Sequence, residues 1–525
     1  MDFFKDDKEM FDPASVKMQE VIVREGKKDD PKMTVLLEEA VNSYTKTYMA
    51  GNQALGRNLD ANAMRNHFYR FPGVDNDKDK TLSAMLRMAV IAQTQERYEK
   101  APTETDEQRA EKAALEGLVK QLFVELKRGK EVLDTLSQYV GLRSFRVDAE
   151  KGFILNGKPY KIKGVNRHQD RPDKGWAISS ADHREDMSLI KEIGANGIRL
   201  AHYPHSDEFY TLCDREGMLV WAEIPLVGKA LDTPEFTENM KTELTELIRQ
   251  NFNHPSIFCW SLCNELSKGD VKGLISELND VSHREDPGRL TVLAANVEKR
   301  PENAVPDIMA FNTYPGWYWA EPSEMKSTLE RWNRQCGNKG IAVSEYGAGA
   351  NVWHHWQTGK KTPKVDGVFH PEEWQATVHE QTYDAIKRSG FAWGSFVWNM
   401  FDFASASRNE GDMPGMNDKG LVSYDRKIRK DAFYFYQSEW SEEPVVHIAS
   451  RRDVARRDSL TDVKVYTNCE TVRLKVNGKD CGSPERNGSI CIWRKVGLKH
   501  GENQVEAFGQ RGGQEFSDCC KWVLF

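Results

Sequence analysis

From Lys161 onward the chain repeats one pattern: a short, nearly unbroken apolar run, then a longer polar stretch. The runs are KIKGVN, NGIRL, MLVWAE, SIFCWSLC, RLTVLAA, DIMAFN, GIAVSE and FAWGSFVW. Strands buried on both faces of a parallel sheet have this composition. Among the separating segments, 182–193, 234–251 and 371–389 have helical character. Eight strand-then-helix units over about 280 residues predict an α/β fold, a (β/α)8 TIM barrel. An open doubly wound sheet is the alternative, but the chain has neither a GxGxxG nor a GxxxxGKS phosphate loop.

The pattern changes on either side of this stretch. Residues 1–115 are charged, with Leu37, Val41, Tyr44 and Tyr48 at helical spacing, as are Leu82, Met85 and Ala89. They read as a helical region without recognisable chemistry. Leu122, Val124 and Leu126 alternate, RGK makes a turn, and a second alternating run covers 132–140, which predicts a β-hairpin. GLRSFRVD and GFILNGK read as further short strands. Beyond Trp440 the helical signal stops. KVYTNCETVRLKVNGK and ENQVEAFGQ alternate and are punctuated by Asn-Gly and Gly-Gly turns, predicting a small β-sandwich over 441–525. It carries no acid/base constellation and is expected to support the barrel or to help bind what the barrel acts on.

Composition narrows the classes of function. The chain has 525 residues, 39% of them hydrophobic and 10% aromatic, enough for two or three packed domains. A net charge of -7 argues against a nucleic-acid partner. The basic run from Arg451 to Arg457 is short, mixed with acids, and reads as a solvated edge. Nine scattered cysteines, with no CxxC pair, argue against a disulfide framework or structural zinc. The start MDFFKDDKEMF has no export signal and no long apolar run follows, so a cytoplasmic protein without a membrane partner is expected. A longer natural N-terminus would make it periplasmic.

Chemistry concentrates at the ends of the apolar runs. In a (β/α)8 barrel the site lies at the carboxyl ends of the strands. Glu265 follows the fourth run in WSLCNE, and Glu345 follows the seventh in VSEYG. Two carboxylates facing one site are the equipment for cleaving a glycosidic bond: one protonates the departing oxygen, the other attacks the anomeric carbon. The structural alternative is a pair of strand-end charges held by arginines. Other run ends add Asn166, Arg167 and His168, Arg199, His202 and Tyr203, Asn264, Tyr314, and Trp398 with Asn399.

The motifs GVNRHQD, GIRLAHYP, WSLCNE, FNTYPGWY, VSEYGAGA, FVWNMFDFAS and NDKGLVSYDR together resemble glycoside hydrolase family 2, the β-galactosidase and β-glucuronidase family. The resemblance covers roughly three quarters of the chain, from about Gly141 onward. It implies Glu265 as acid/base and Glu345 as nucleophile of a retaining double displacement. It implies Asn264 at the sugar 2-hydroxyl, Tyr314 beside the nucleophile and Arg199 near the catalytic carboxylates. His168, His202, Trp398 and Asn417 match sugar-site positions. The segments become a helical region of unknown role (1–115), a remnant of an immunoglobulin-like sandwich (116–157), the catalytic barrel (158–440) and a C-terminal immunoglobulin-like sandwich (441–525).

Two departures stand out. The jelly-roll domain that opens family members is not recognised in this sequence and is expected to be missing from it. After the third run AEIPLVG lacks the histidine with which some β-galactosidases hold magnesium, so neither metal nor cofactor is expected. Asn417 and Lys419 form an Asn-x-Lys pair like the carboxylate-binding pair of β-glucuronidases. WSLCNEL, SEYGAGA and the proline of NTYPGWY lean to β-galactosidases, which puts β-galactosides first as substrates and β-glucuronides second. A catalytically weak carbohydrate-binding barrel is the reading from another class. The expected partner is a glycoside or oligosaccharide, and a homo-oligomer is compatible with the sequence.

Overall fold

The structure, a computed structural model, describes residues 119–525 apart from 129–130, 142, 267–268, 270, 338 and 357–361. The helical reading of 1–115 lies outside the described residues. The first elements are strands β1 (Val119–Arg128) and β2 (Glu131–Gly141), paired antiparallel from Val119 opposite Gly141 to Arg128 opposite Glu131. This is the expected hairpin around RGK. Strands β3 (Phe145–Asp148), β4 (Gly152–Leu155) and β5 (Lys158–Pro159) form a small antiparallel sheet.

Eight parallel strands then close into a barrel in sequence order. They are β6 (Ile162–Arg167), β7 (Gly197–Leu200), β8 (Leu219–Glu223), β9 (Ile257–Asn264), β10 (Leu290–Ala295), β11 (Met309–Asn312), β12 (Ile341–Tyr346) and β13 (Ala392–Val397). Each coincides with one of the eight apolar runs, and β13 pairs with β6 to complete the ring. Around it lie α1 (Ser180–Glu192), α2 (Asp207–Arg215), α3 (Pro234–Asn251), α4 (Lys272–Glu285), α5 (Met325–Cys336), α6 (Glu372–Arg388) and α7 (Asp431–Trp440). Local signals set their starts. Ser179 and Asp182 form a reciprocal capping box on α1, and Thr233 caps α3 ahead of Pro234.

One unit departs from the eightfold expectation. The connection 296–308 between β10 and β11 holds only a 3-10 turn, Pro301–Ala304. It is barely long enough for the dozen or so residues that a parallel crossover needs, and it leaves no room for a full helix.

The lower end of the barrel is plugged. Phe145 and Phe153 of the small sheet pack on Phe258 in one cluster with Trp221, Trp393 and Phe396. Burying each such ring stabilises the fold by about 1.5–3 kcal/mol. Gly164 in β6 admits this filling, since a Cβ there would come within 2.3 Å of the Phe396 ring. With the amino-terminal end filled, the carboxyl ends of the strands are left for chemistry.

Beyond the barrel, a four-stranded antiparallel sheet and a five-stranded mixed sheet share a core in which Ile448, Val463 and Val465 meet Leu474, Val505 and Trp522. The Asn-Gly turn reads as predicted: Asn477 and Gly478, at φ 53° and 76°, close the hairpin between Thr471–Val476 and Lys479–Asp480. The basic run corrects an expectation, because it is not a solvated edge. Arg452 pairs with the fully buried Glu372 of α6, and Arg456 lies 3.8 Å over Trp522. Beside them His447 Nε2 sits 3.1 Å from Asp431 Oδ1, and the Ser450 amide donates to Asp431 Oδ2 at 2.6 Å. Arg452 and Arg456 thus belong to a buried ionic junction between barrel and sheets, while Arg457 at the end of the run is exposed. All nine cysteines are free thiols. Among the described residues no helix is long and apolar enough to cross a membrane.

Candidate active site

The strand ends converge on Arg199. It sits at the end of β7 with no exposed surface and donates in several directions. Its Nε reaches Glu223 Oε1 at 2.7 Å and its Nη1 reaches Glu345 Oε1 at 2.6 Å. Nη1 also meets Asn166 Oδ1 at 3.0 Å, and Nη2 meets Asn264 Oδ1 at 2.8 Å. A guanidinium presents a planar fork of donors suited to holding two carboxylates at once. Burial alone would raise the Glu223 carboxyl, but Arg199 and His202 outweigh it and hold the group below its ordinary range.

Glu345, at the end of β12, receives a second hydrogen bond from the Tyr314 hydroxyl to Oε2 at 2.6 Å. Burial, and then the Glu345 charge, hold the Tyr314 hydroxyl protonated as a donor. Both carboxylate oxygens are thus fixed by donors.

Glu265 has a different environment. Its side-chain hydrogen-bond partner among the described residues is neutral, Asn312 Nδ2 at 2.8 Å from Oε1. Burial, and then the nearby Glu345 charge, raise its pKa; the Asn312 hydrogen bond offsets part of this. Its backbone takes φ 52°, a left-handed conformation uncommon for glutamate and often found where a site over-determines the chain. The two acids belong to one hydrogen-bonded chain. Glu265 joins Asn312, Asn312 joins Asn264 at 3.1 Å, and Asn264 joins Arg199 and hence Glu345. The reading of strand-end charges merely held by arginines fits Glu345 and Glu223 in part, but not Glu265.

The aromatic and histidine positions form a wall beside this network. The His202 ring stacks on Trp398 at 5.0 Å, and His168 lies 5.3 Å from Trp398 and 4.2 Å from Phe403. Phe403 pairs with Asn417 in a two-stranded ribbon, β14 (Phe403–Ala404) with β15 (Met416–Asn417). This ribbon delivers Lys419, whose ammonium lies 5.5 Å from the Trp317 ring and 5.3 Å from that of Tyr318. Tyr318 in turn stands edge-on to Tyr314. Glu265, Glu345, His168, Arg199, His202, Asn264, Tyr314, Trp398, Asn417 and Lys419 therefore lie in one connected cluster, whereas Arg167 turns away from it to pair with the buried Asp186.

Several contributors escaped the sequence reading. Glu223 ends the MLVWAE run and was visible there as a strand-end acid. Asn312 ends DIMAFN in the same way. His370 was not legible: its Nδ1 meets Asp418 Oδ2 at 2.6 Å and anchors the residue between Asn417 and Lys419 from 48 positions away in sequence.

A closed parallel barrel whose strand-end acids share one buried arginine, with aromatic rings and a buried lysine alongside, has the architecture of (β/α)8-barrel enzymes that work on small polar ligands at the carboxyl ends of their strands. The family model described as glycosyl hydrolases family 2, TIM barrel domain, matches residues 145–442, and a model for a domain of unknown function matches 458–517. The chain belongs to glycosyl hydrolase family 2.

It is similar to a β-glucuronidase of Bacteroides fragilis, 42% identical over 396 residues that cover 73% of this chain and 57% of that protein. It is also similar to a β-galactosidase of Bacteroides ovatus, 26% identical over 69% of this chain and 48% of that one. A solved structure of Bacteroides uniformis β-glucuronidase 2, covalently bound to cyclophellitol-6-carboxylate aziridine, superimposes with a TM-score of 0.71 at 32% identity over 77% of this chain and 50% of that one. The chain spans about half of the length of these relatives.

Proposed function

We propose that the chain is a retaining glycosidase acting on terminal β-linked sugars, with β-glucuronides ahead of β-galactosides as substrates. Glu265 is the acid/base and Glu345 the nucleophile. The electrostatics favour this division. Glu345 is held by Arg199 and Tyr314, which stabilise a carboxylate ready to attack. Glu265 has only an amide partner and a raised pKa, which suits a group that must carry a proton at neutral pH. In the first step Glu345 attacks the anomeric carbon while Glu265 protonates the departing oxygen. In the second, Glu265 takes a proton from water, which displaces Glu345. Asn264 Oδ1 is occupied by Arg199 and Asn312, which orients its NH2 as the group left for a sugar hydroxyl.

The observation that carries the substrate preference is Lys419. Its ammonium is 1% exposed and has no hydrogen-bond acceptor among the described residues. Its charged neighbour is Glu410 Oε1 at 3.6 Å. A buried cation without an acceptor is costly, and a carboxylate at C6 of the sugar would supply one. The relative named β-glucuronidase and the carboxylate-bearing ligand of the Bacteroides uniformis protein support the same reading. β-Galactosides remain the second reading, on the motifs WSLCNEL and SEYGAGA and the Bacteroides ovatus relative. The test is turnover of 4-nitrophenyl β-D-glucuronide, β-D-galactoside and β-D-glucoside by the full chain. Preference for the galactoside would reverse the order, and no turnover of any would overturn the proposal.

A further inference from the structure

A cavity of about 270 Å3 reaches Glu265 through Asn312 and is lined by Asn296, Glu298, Asn312, Thr313, Trp319 and Arg331 among others. Asn296 and Glu298 belong to the shortened connection 296–308, where a 3-10 turn stands in place of a helix. Asn312 is shared: it lines the cavity and donates to Glu265 Oε1 at 2.8 Å. Arg331 comes from α5 and holds Glu298 in a two-pronged pair, Nε to Oε2 at 3.0 Å and Nη2 to Oε1 at 2.5 Å. Both remain accessible, with side-chain exposures of 40% and 28%. Trp319, at 40% exposure, adds an aromatic ring to the rim, while Phe311 and Trp332, the other aromatic residues of the lining, are stacked on each other at 4.2 Å and buried.

The position identifies which part of a substrate belongs there. A general acid must stand next to the oxygen it protonates, so the space on its side of the scissile bond holds the leaving group. The cavity is one hydrogen bond from Glu265. Its volume falls just below the roughly 300–1,000 Å3 of pockets that take drug-sized ligands, and equals about nine waters at about 30 Å3 each. That is room for one six-membered ring with its substituents. The lining decides the chemistry. Arg331 and Glu298 cancel in charge yet offer both donors and acceptors, with the Asn296 amide beside them. Covering them with an apolar group would strip their solvation without replacing it. Hydroxyl groups would replace it, and Trp319 would suit the apolar face of a sugar ring.

We infer that this cavity receives the leaving group and that the leaving group is a neutral sugar unit, so that the substrates are glycan chains rather than glycosides of apolar alcohols. The inference rests on Glu265 as the acid and extends it to the far side of the bond being broken.

Two kinds of substrate separate this subsite from the site for the cleaved sugar. Glycosyl fluorides have fluoride as leaving group and leave the cavity empty. Disaccharides fill it. The experiment measures kcat/KM on β-D-glucuronyl fluoride and on a disaccharide of β-linked glucuronic acid and galactose, with β-D-galactosyl fluoride and lactose as the galactoside counterparts. The parent is compared with Arg331→Ala and Asn296→Ala. The ratio of disaccharide to fluoride is expected to fall tenfold or more in Arg331→Ala and severalfold in Asn296→Ala. An unchanged ratio overturns the inference, whether both rates fall together, as for a structural role, or neither falls. A parent that hydrolyses a fluoride but neither disaccharide also overturns it while leaving the assignment of the acids intact. A parent that hydrolyses neither fluoride overturns that assignment and the inference with it.

Discussion

Replacing Lys419 with methionine removes one charge and keeps most of the volume. If a uronate carboxylate docks against the ammonium, the loss is that of a buried charge pair. Two unit charges about 4 Å apart attract by about 4 kcal/mol at an effective dielectric constant of 20. Truncating one partner of such a pair costs about 2–5 kcal/mol. Two features of the structure set the place within that range. Lys419 is 1% exposed, so solvent and salt screen little. Glu410 at 3.6 Å already neutralises part of the charge, and Arg408 Nη1 draws Glu410 back with a 2.6 Å hydrogen bond. About 2–3 kcal/mol is therefore expected, a loss of about 30- to 150-fold in kcat/KM for the glucuronide. The assay compares 4-nitrophenyl β-D-glucuronide with the β-D-glucoside, which differs only at C6, at fixed pH and ionic strength. The glucoside should change by less than about threefold. Equal losses on both substrates would mean that Lys419 supports the loop rather than the carboxylate. No loss on the glucuronide would refute the reasoning outright.

Other consequences follow from the same geometry. Glu265→Ala should retain much of its first step on an aryl glycoside with an acidic phenol and stall at deglycosylation. Azide should rescue it to the β-glycosyl azide, whereas Glu345→Ala with azide should give the α product; the opposite stereochemistry, read by NMR, would exchange the roles. Because the acid must be protonated, activity should decline as pH rises through the raised pKa of Glu265. Asn312→Ala removes a hydrogen bond that lowers this pKa, so the alkaline limb of the pH–rate profile should move to higher pH, and a shift downward would contradict the assignment. Arg452→Ala leaves Glu372 buried without its cation and should destabilise the chain by about 3–5 kcal/mol in thermal or urea unfolding. Burial, then the Asp431 charge, raise the Glu372 carboxyl, so its stabilising contribution fades as pH rises and the loss should be larger at alkaline than at acidic pH.

Much of this was readable because buried parallel strands announce themselves. All eight barrel strands sit on the eight apolar runs, and the acids at two run ends lie in one hydrogen-bonded network. The sequence was weaker where neighbours come from distant segments. Nothing near Arg452 signals that Glu372, eighty positions earlier, waits for it, so the run looked like a charged edge. Nothing near Lys419 signals the Trp317 and Tyr318 rings that make its ammonium buried. The missing fifth helix followed from a short connection, but the regularity of the other units hid it.

Arg199 also bears on how an inactive form of this protein should be made. The side chain ties β6, β7, β8, β9 and β12 together through Asn166, Glu223, Asn264 and Glu345. Its one charge is shared between two carboxylates, Glu223 and Glu345. An alanine at 345 therefore does more than silence chemistry: it deletes one of two counterions and opens a hole at the hub of the barrel mouth. Substrate soaked into such a variant would meet a rearranged mouth, with water or Glu223 drawn toward the guanidinium. Glutamine keeps the shape and an acceptor oxygen for Arg199 Nη1 while giving up nucleophilicity. For trapping a bound glycan in the native geometry, Glu345→Gln is the inactive form to build, and a melting temperature closer to the parent than that of Glu345→Ala would be the sign that the hub survived.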